Sequence, residues 1–396
     1  MDLEHPYVKA ALSQQPLPQV PESTQIESEI LRADSLWAAG DSAGALKTLC
    51  ELEMLQPWKE ERHDLYSRGI RALAVGDLPS AYQAFESAAR ENGQDVFAAE
   101  RAVNIAFWMA CAGKMLAAGG LLCEVVNSKP FAGGVLAFAQ HMNGDSVSAE
   151  QTARRAIELG FKDPWTLHAV AHALYSLGRS AECAGWLRQH RPDVAECSTF
   201  MRTHMEFHLA LCLLDVSDAA GIAELLNGPL WGALPPTERD DYWAATGVLA
   251  VLWKAELREV VVKGPSTLPE ITLQHLTGAD VTKSMVFSLC ILRFKLKGGD
   301  WLARILNAAE DTQNPVFAAV AKAVQAAYAG DGWAQAAALI APFVERLSEL
   351  GASPEQREVV EEFAVLTLKR GGYAAEIKRW LSKHHRAGVG FYDQLK

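Results

Sequence analysis

The stretch that decides the fold is ALAVGDLPSAYQAFESAAR, residues 72–90. A Gly-Asp turn at Gly76 separates two segments in which apolar residues recur at helical spacing. In the second segment, Ala81, Phe85 and Ala88 form a small-large-small face. Such a face lets a helix pack closely against the helix before it, so the stretch predicts a helix-turn-helix pair.

Turns of the same kind, containing Gly or Asp, recur along the first half of the chain. They are centred on Gly40, Gly76, Gly113, Gly144, Gly178 and a position near Asp215. Their successive separations are 36, 37, 31, 34 and 37 residues, which scatter around the 34-residue period of tetratricopeptide repeats. Alternating β-branched residues are nearly absent, and REVVVKG at 258–264 is the only short strand candidate. The pattern predicts an all-α fold, a tetratricopeptide-repeat-like right-handed α-solenoid of helix-turn-helix pairs.

Proline and glycine mark the expected boundaries of this array. Residues 1–25 are rich in Pro and Gln and predict a flexible N-terminal arm before the first helix near Ile26. Two Pro/Gly-containing stretches, at 227–241 and 262–270, predict irregular connections. Because the helix-Gly-helix pattern resumes after them, residues 26–396 are interpreted as a single solenoid and not as two independent domains.

Composition narrows the range of partners and compartments. The chain has 396 residues, of which 49% are hydrophobic and 21% charged, and a formal net charge of −11. An acidic surface does not favour binding to nucleic acid or to an anionic membrane, so we expect neither partner. The seven cysteines lack a C-x-x-C pair, and the N-terminus lacks an apolar signal region. These features predict reduced thiols and a cytoplasmic protein.

Several well-known catalytic motifs are absent from the sequence. It contains no G-x-x-x-x-G-K-[ST] loop, no G-x-G-x-x-G after a strand and no G-x-S-x-G elbow. We therefore expect no nucleotide cofactor and no serine-hydrolase chemistry.

Two H-x-x-x-H pairs are the main functional signal. His168 and His172 lie in DPWTLHAVAHALYSLG, and His204 and His208 lie in TFMRTHMEFHLALCLL. On a helix, residues i and i+4 share one face and lie about 6 Å apart along the axis. The two pairs are offset by 36 residues, one repeat length, so equivalent helices would bring all four imidazoles to one concave surface.

Four clustered imidazoles predict a divalent metal, zinc or iron, or a site of acid/base catalysis. We therefore expect His168, His172, His204 and His208 to be both the metal ligands and the catalytic residues. Glu206 lies two residues from both His204 and His208, which turns it to the opposite face of the helix. A carboxylate ligand would have to come from another helix, and the candidates are Glu61, Asp64, Glu358 and Glu361.

From about residue 55 to the end, the chain resembles the tetratricopeptide repeat protein 38 family. The resemblance rests on DPWTLHAVAHALYSLGR, then MRTHMEFHLALCLL, then LSELGASPEQREVV near the C-terminus. The sequence departs from that pattern at Ala106 and Phe107, where the family has His-Asp, and around Met285, where it has a His. The resemblance implies the helical-repeat fold. The positions that match the family motif are Asp163, Trp165, His168, His172, His204, His208, Gln356 and Arg357.

Three further residues are candidates for substrate binding. Trp165 and Tyr175 lie on the same helix as the first His pair, where they pack the core or line a pocket. Arg357 follows a helix start at Ser353 and Pro354, and could reach the groove as an anion clamp. Two functions remain open. One is a metal-dependent lyase, hydrolase or oxygenase acting on a small polar substrate, and the other is a non-enzymatic module that binds a peptide or partner helix in its groove.

Overall fold

The computed structural model describes residues 25–55, 60–91, 95–125, 131–235, 242–265, 285–296, 300–329, 332–384, 389–393 and 395. Within these residues every regular element is a helix and no strand occurs, which confirms the all-α prediction. Most of the predicted N-terminal arm lies outside the described residues, as do residues 236–241 and 266–270 of the two predicted connections. Of the first connection, residues 228–233 form turns.

The chain divides into two compact units, and consecutive helices pack on one another within each. The first unit comprises Met1–Val170 and Glu196–Ser198, and the second comprises Ala171–Ala195 and Thr199–Lys396. The helices of the first unit are α1 (Ile26–Ala38), α2 (Ser42–Leu55), α3 (Glu61–Ala74), α4 (Leu78–Glu91), α5 (Val96–Trp108), α6 (Ala112–Val125), α7 (Phe131–Met142) and α8 (Ser146–Glu158).

Helix α9 (Pro164–Ser176) crosses from the first unit to the second, with the division between Val170 and Ala171. The helices that follow are α10 (Ser180–His190), α11 (Thr199–Asp215), α12 (Ala219–Asn227), α13 (Tyr242–Leu257), α14 (Met285–Lys295), α15 (Trp301–Asp311), α16 (Pro315–Ala329), α17 (Trp333–Ile340), α18 (Pro354–Gly371), α19 (Ala374–His384) and the short α20 (Gly390–Asp393). Two 3₁₀ segments, Arg191–Val194 and Ala341–Leu350, complete the described elements.

Close packing within the pair α3 and α4 follows from the small-large-small face. Ala81, Phe85 and Ala88 are fully buried. A Cβ atom at Gly69 of α3 would lie 2.6 Å from Cε2 of Phe85, so only glycine lets the ring approach this closely. The turn before α4 contains Gly76 with φ of 79°, a left-handed conformation that glycine adopts without steric cost. The predicted helix-turn-helix pair is confirmed here.

One local prediction is wrong, and the short strand candidate is not a strand. Gly113 is not a turn residue, because it lies within α6, and the turn before that helix contains Ala110 with φ of 52°. The segment 258–264 is not a strand, since it continues irregularly from the end of α13. Glu259 has φ of 58°, a left-handed conformation that breaks an extended chain.

The starts of two helices follow the predicted caps. Asp163 precedes α9, and its Oδ1 accepts hydrogen bonds from the backbone N–H groups of Trp165 and Thr166 at 2.9 and 3.2 Å. Ser353 precedes α18 in a capping box, in which Gln356 bonds back to the backbone N–H of Ser353 at 3.0 Å. Both N-caps provide hydrogen-bond acceptors for backbone N–H groups at the helix start, which have no partner within the helix.

All seven cysteines lie in the described residues and none forms a disulfide. In the described part of the chain, no helix has the length and apolar character that a membrane span requires.

Candidate metal centre

Three of the four predicted histidines meet in the second unit. His172 comes from α9, and His204 and His208 come from successive turns of α11. The Nε2 atoms of His204 and His208 lie 3.1 Å apart. The ring of His172 packs against that of His208 edge to face, with 4.3 Å between the centroids. Each of the three rings offers a nitrogen atom within 4.8 Å of the others, which is close enough to share one metal ion.

Glu355, in the first turn of α18, orients the ring of His172. Its Oε2 lies 2.5 Å from Nδ1 of His172, and its Oε1 accepts a hydrogen bond from Oγ of Ser176 at 2.8 Å. When Nδ1 of a neutral His172 donates to this carboxylate, the lone pair of the ring lies on Nε2. A carboxylate that holds the far nitrogen of an imidazole in this way is typical of metal-ligating histidines.

His204 is suited to bind as a neutral ligand. Burial, followed by the proximity of His172, lowers the pKa of His204 from 6.5 to about 3, against an opposing effect of Glu355. Its ring stacks between those of Phe200 and Phe207, with centroid distances of 5.1 and 5.9 Å. The imidazole is therefore uncharged at neutral pH and does not have to lose a proton before it binds a cation.

His168 lies one turn before His172 on the same helix, in the part of α9 that belongs to the first unit. It is 2% exposed. Its ring packs against those of Phe138 and Trp165, with centroid distances of 5.3 and 5.6 Å. Trp165 is half-buried and also contacts Phe138.

Glu355, which contacts the imidazole of His172, is not among the four carboxylates that the sequence suggested as ligands. Glu358 binds Tyr175, Lys254 and Tyr392, and Glu361 accepts from Nε of Arg357 at 2.6 Å. Glu61 and Asp64 belong to α3 of the first unit, where Asp64 pairs with Arg68. Glu206 faces away from the site, as predicted, and forms a two-pronged ion pair with Arg191.

Glu355 is a residue of the candidate site that the sequence did not predict. The sequence contains only a weak indication of it, in the spacing of acidic residues. Glu355, Glu358 and Glu362 follow an i, i+3, i+7 spacing that places three acids on one face of α18. All three are buried, and such a buried acidic face requires partners from other helices.

Those partners form a buried polar cluster next to the imidazoles. Lys254 of α13 is fully buried and contacts Glu358, Glu362 at 3.5 Å and the hydroxyl of Tyr175 at 2.9 Å. Arg258, which directly follows the end of α13, binds both oxygens of Glu362. It also donates to Oδ1 of Asp215 at 2.6 Å.

Two predicted substrate-binding residues have protein partners in this unit. Tyr175 is 2% exposed, and its hydroxyl donates to Oε2 of Glu358 at 2.5 Å. Arg357 binds Glu361 and donates to the backbone carbonyls of Gly351 and Ala352, both at 3.2 Å. Their roles toward a substrate remain predictions.

A small cavity borders the imidazole cluster on the side of His204. Its volume is about 10 Å³, close to the minimum that holds one water molecule. Its lining residues are Thr203, His204, Phe207, Trp243, Gly247 and Phe287.

No known protein-family model matches this sequence.

Proposed function

We propose that this protein is a helical-repeat metalloprotein that binds one divalent transition metal, zinc or iron, through His172, His204 and His208. The observation that carries the proposal is the hydrogen bond between Nδ1 of His172 and Glu355, which in a neutral ring leaves the lone pair on Nε2, within a cluster whose ligand atoms lie within 4.8 Å of one another. Burying the carboxylate of Glu355 is costly unless the group has hydrogen-bond partners. A histidine that only packs in the core does not require such a carboxylate beside it.

The spacing of the nitrogens supports a metal. Zinc bonds to imidazole nitrogen at about 2.05 Å, so two ligands of a tetrahedral site lie about 3.3 Å apart. The observed 3.1 Å between Nε2 of His204 and Nε2 of His208 is within a few tenths of that distance. Because both residues belong to α11, little movement of their side chains is needed to place an ion between these atoms.

The charge around the site also favours a cation. Four acidic side chains, Glu355, Glu358, Glu362 and Asp215, are nearly excluded from solvent in this part of the unit. They face two basic side chains, Lys254 and Arg258. The imidazoles add no positive charge while they are neutral, so a divalent ion would offset the remaining excess of negative charge.

Three protein ligands leave a coordination position for water or substrate, which is the arrangement of catalytic metal sites. The proposed activity is therefore that of a metal-dependent enzyme acting on a small substrate by lyase, hydrolase or oxygenase chemistry. His168, one turn from His172 on the same helix, is the candidate fourth ligand or acid/base group. A tetratricopeptide-type array is part of the same proposal, supported by the repeat spacing of the turns.

The deciding experiment is a titration of protein purified without a histidine tag. After elemental analysis, the metal-free protein is titrated with Co²⁺, and we expect one equivalent to produce the visible bands of a low-coordinate cobalt site. His172→Asn keeps an amide N–H near the position of Nδ1 as a donor for Glu355 while removing the ligand atom Nε2, and His204→Ala removes a second ligand. Each is expected to weaken binding at least tenfold.

The matched control is His190→Ala. His190 is also a buried histidine of the second unit, but its Nδ1 pairs with Asp193 at 2.7 Å, away from the imidazole cluster. We expect the control to bind Co²⁺ as the unmodified protein does. If the unmodified protein takes up no metal, the metalloprotein proposal is wrong and the interaction module becomes the favoured function.

A further inference from the structure

A second cluster of histidine and carboxylate side chains lies in the first unit, at the starts of α1 and α3. His63 of α3 is 5% exposed, and among the described residues neither of its ring nitrogens has a hydrogen-bond partner. Its Nε2 lies 3.9 Å from Oε1 of Glu27, in the first turn of α1, and 3.9 Å from Oε2 of Glu60, at the N-cap of α3. These distances are too long for hydrogen bonds. Because a buried imidazole without hydrogen bonds is costly, the arrangement requires a further partner.

The side chain of Arg62 shows that the two carboxylates accommodate a cation. Its Nη2 atom lies 2.6 Å from Oε1 of Glu27, and its Nε atom donates to Oε2 of Glu60 at 2.8 Å. These are the same two oxygen atoms that lie 3.9 Å from Nε2 of His63. The guanidinium therefore pairs with both carboxylates but makes no hydrogen bond to the imidazole beside them.

We propose that Glu27, Glu60 and His63 form a second metal site, which binds a divalent transition metal in place of the guanidinium of Arg62. One imidazole with two carboxylates suits manganese, iron or zinc, whereas calcium and magnesium take oxygen ligands. Ligand atoms of a tetrahedral zinc site lie about 3.4 Å apart, so the observed separations are about 0.5 Å too long. Rotation of the two carboxylates closes this gap, because their side chains are 38% and 56% exposed. This site does not depend on the function proposed for the second unit.

Charge and protonation favour the exchange of the guanidinium for a metal ion. Glu27 and Glu60 carry two negative charges against the single positive charge of Arg62, and a divalent ion balances both carboxylates. Burial lowers the pKa of His63 below the ordinary 6.5, against an opposing effect of Glu60. The ring is therefore neutral at pH 7 and does not have to lose a proton before it binds a cation. The side chain of Arg62 is 23% exposed, so it can turn into solvent when the ion binds.

The probe is Mn²⁺, whose electron paramagnetic resonance signal in free solution is lost when the ion binds. We expect the full chain to bind one Mn²⁺ ion that is retained in His204→Ala of the second unit. Glu60→Gln and His63→Phe each remove one ligand and are expected to weaken this binding at least tenfold. Glu53→Gln is the matched control, because Glu53 is 53% exposed and pairs with Arg71 in the same unit. We expect this control to bind Mn²⁺ as the unmodified protein does.

Arg62→Gln separates a metal site from an ordinary ion pair. Because the guanidinium competes with the metal for the same two oxygen atoms, its removal is expected to strengthen Mn²⁺ binding at least threefold. A gain of affinity cannot result from partial unfolding. Arg71→Gln is the matched control, since it removes a guanidinium from Glu53 in the same unit, and we expect it to change Mn²⁺ binding by less than twofold.

Three results would overturn the inference. The first is that the unmodified protein takes up no Mn²⁺, and the second is that Arg62→Gln binds the ion no more tightly. The third is that the ion is lost in His204→Ala but retained in Glu60→Gln, which would assign it to the second unit. The Co²⁺ titration with variants of the imidazole cluster is a separate measurement, so failure of either metal site leaves the other standing.

Discussion

Tyr175 and Glu358 repeat, about one turn further along their helices, the pairing that His172 makes with Glu355. Both hydrogen bonds are 2.5 Å long and both join residues separated by 183 positions. Because a step of three residues on α9 matches a step of three on α18, the contacting stretches of the two helices run in the same direction. The imidazole cluster and the buried polar cluster thus involve successive turns of the same two helices.

Glu355→Gln is the sharpest test of how the metal centre is oriented. Glutamine keeps the shape of the side chain but removes the charge that holds Nδ1–H of His172. We expect metal affinity to fall about 10- to 100-fold, the usual effect of losing a carboxylate behind a ligating imidazole. Competition with a chelator of known affinity measures the change.

The control on the same helix is Glu361→Gln, since Glu361 pairs with Arg357 and not with an imidazole. It is expected to leave metal affinity unchanged within twofold. Equal losses in the two variants would show that general negative charge, and not the contact with His172, governs binding.

Lys254 tests the energetics of the buried cluster. In Lys254→Met, Glu358 loses its ammonium partner and Glu362 keeps only Arg258. Since an uncompensated buried charge is costly, we expect the free energy of unfolding to drop by about 3–5 kcal/mol in urea titrations. Adding Glu358→Gln, which retains hydrogen bonds to Tyr175, should restore part of the loss. A double variant that is no more stable than Lys254→Met would contradict the pairing.

Capping of α18 couples stability to the metal centre. Ser353→Ala removes the N-cap and should cost about 1 kcal/mol in thermal or urea unfolding. Because Glu355 lies in the first turn of the same helix, we also expect weaker metal binding. The matched control is Asp145→Ala, which removes the N-cap of α8. In the unmodified protein, Oδ1 of Asp145 accepts a hydrogen bond from the backbone N–H of Ser148 at 3.0 Å. That variant should lose similar stability and bind metal normally, and weaker binding in both would argue against the coupling.

His63 predicts a pH dependence in the first unit. It is 5% exposed, and burial lowers its pKa below the ordinary 6.5, with Glu60 opposing the shift. Below about pH 6.5 the unfolded chain therefore binds a proton that the folded chain does not, so stability falls with falling pH, by at most about 1.4 kcal/mol per pH unit. In His63→Phe, the loss of stability between about pH 7 and pH 5.5 should be smaller. An unchanged pH profile in urea unfolding would show that other groups control it.

Much of the local structure could be predicted from the sequence. The turn at Gly76, the packing face of α4 and the caps of α9 and α18 depend on residues a few positions apart, which a linear pattern contains. Gly113 is not the turn residue because Ala110 adopts the left-handed conformation nearby at a modest steric cost. The pattern showed where a turn was needed but not which residue would make it.

The imidazole cluster could be predicted only in part. The 36-residue offset correctly indicated that His172 comes near His204 and His208. Glu355 could not be identified, since no local pattern connects α18 with α9 across 183 residues. The same limit applies to the pairing of Lys254 with Glu358, whose separation is 104 residues. Which residues of two distant helices face each other depends on how the helices pack. Local patterns in a single sequence do not predict those contacts.

The position of α18 in the sequence, after α9, α11 and α13, has a consequence for biosynthesis. During translation, α9, α11 and α13 leave the ribosome well before α18, which carries the acidic face. Their basic and imidazole side chains therefore lack their carboxylate partners until α18 has been synthesised. Contacts of such long sequence separation form slowly. We therefore expect the native core of the second unit to form only once α18 has been synthesised, and any bound metal to be acquired after that.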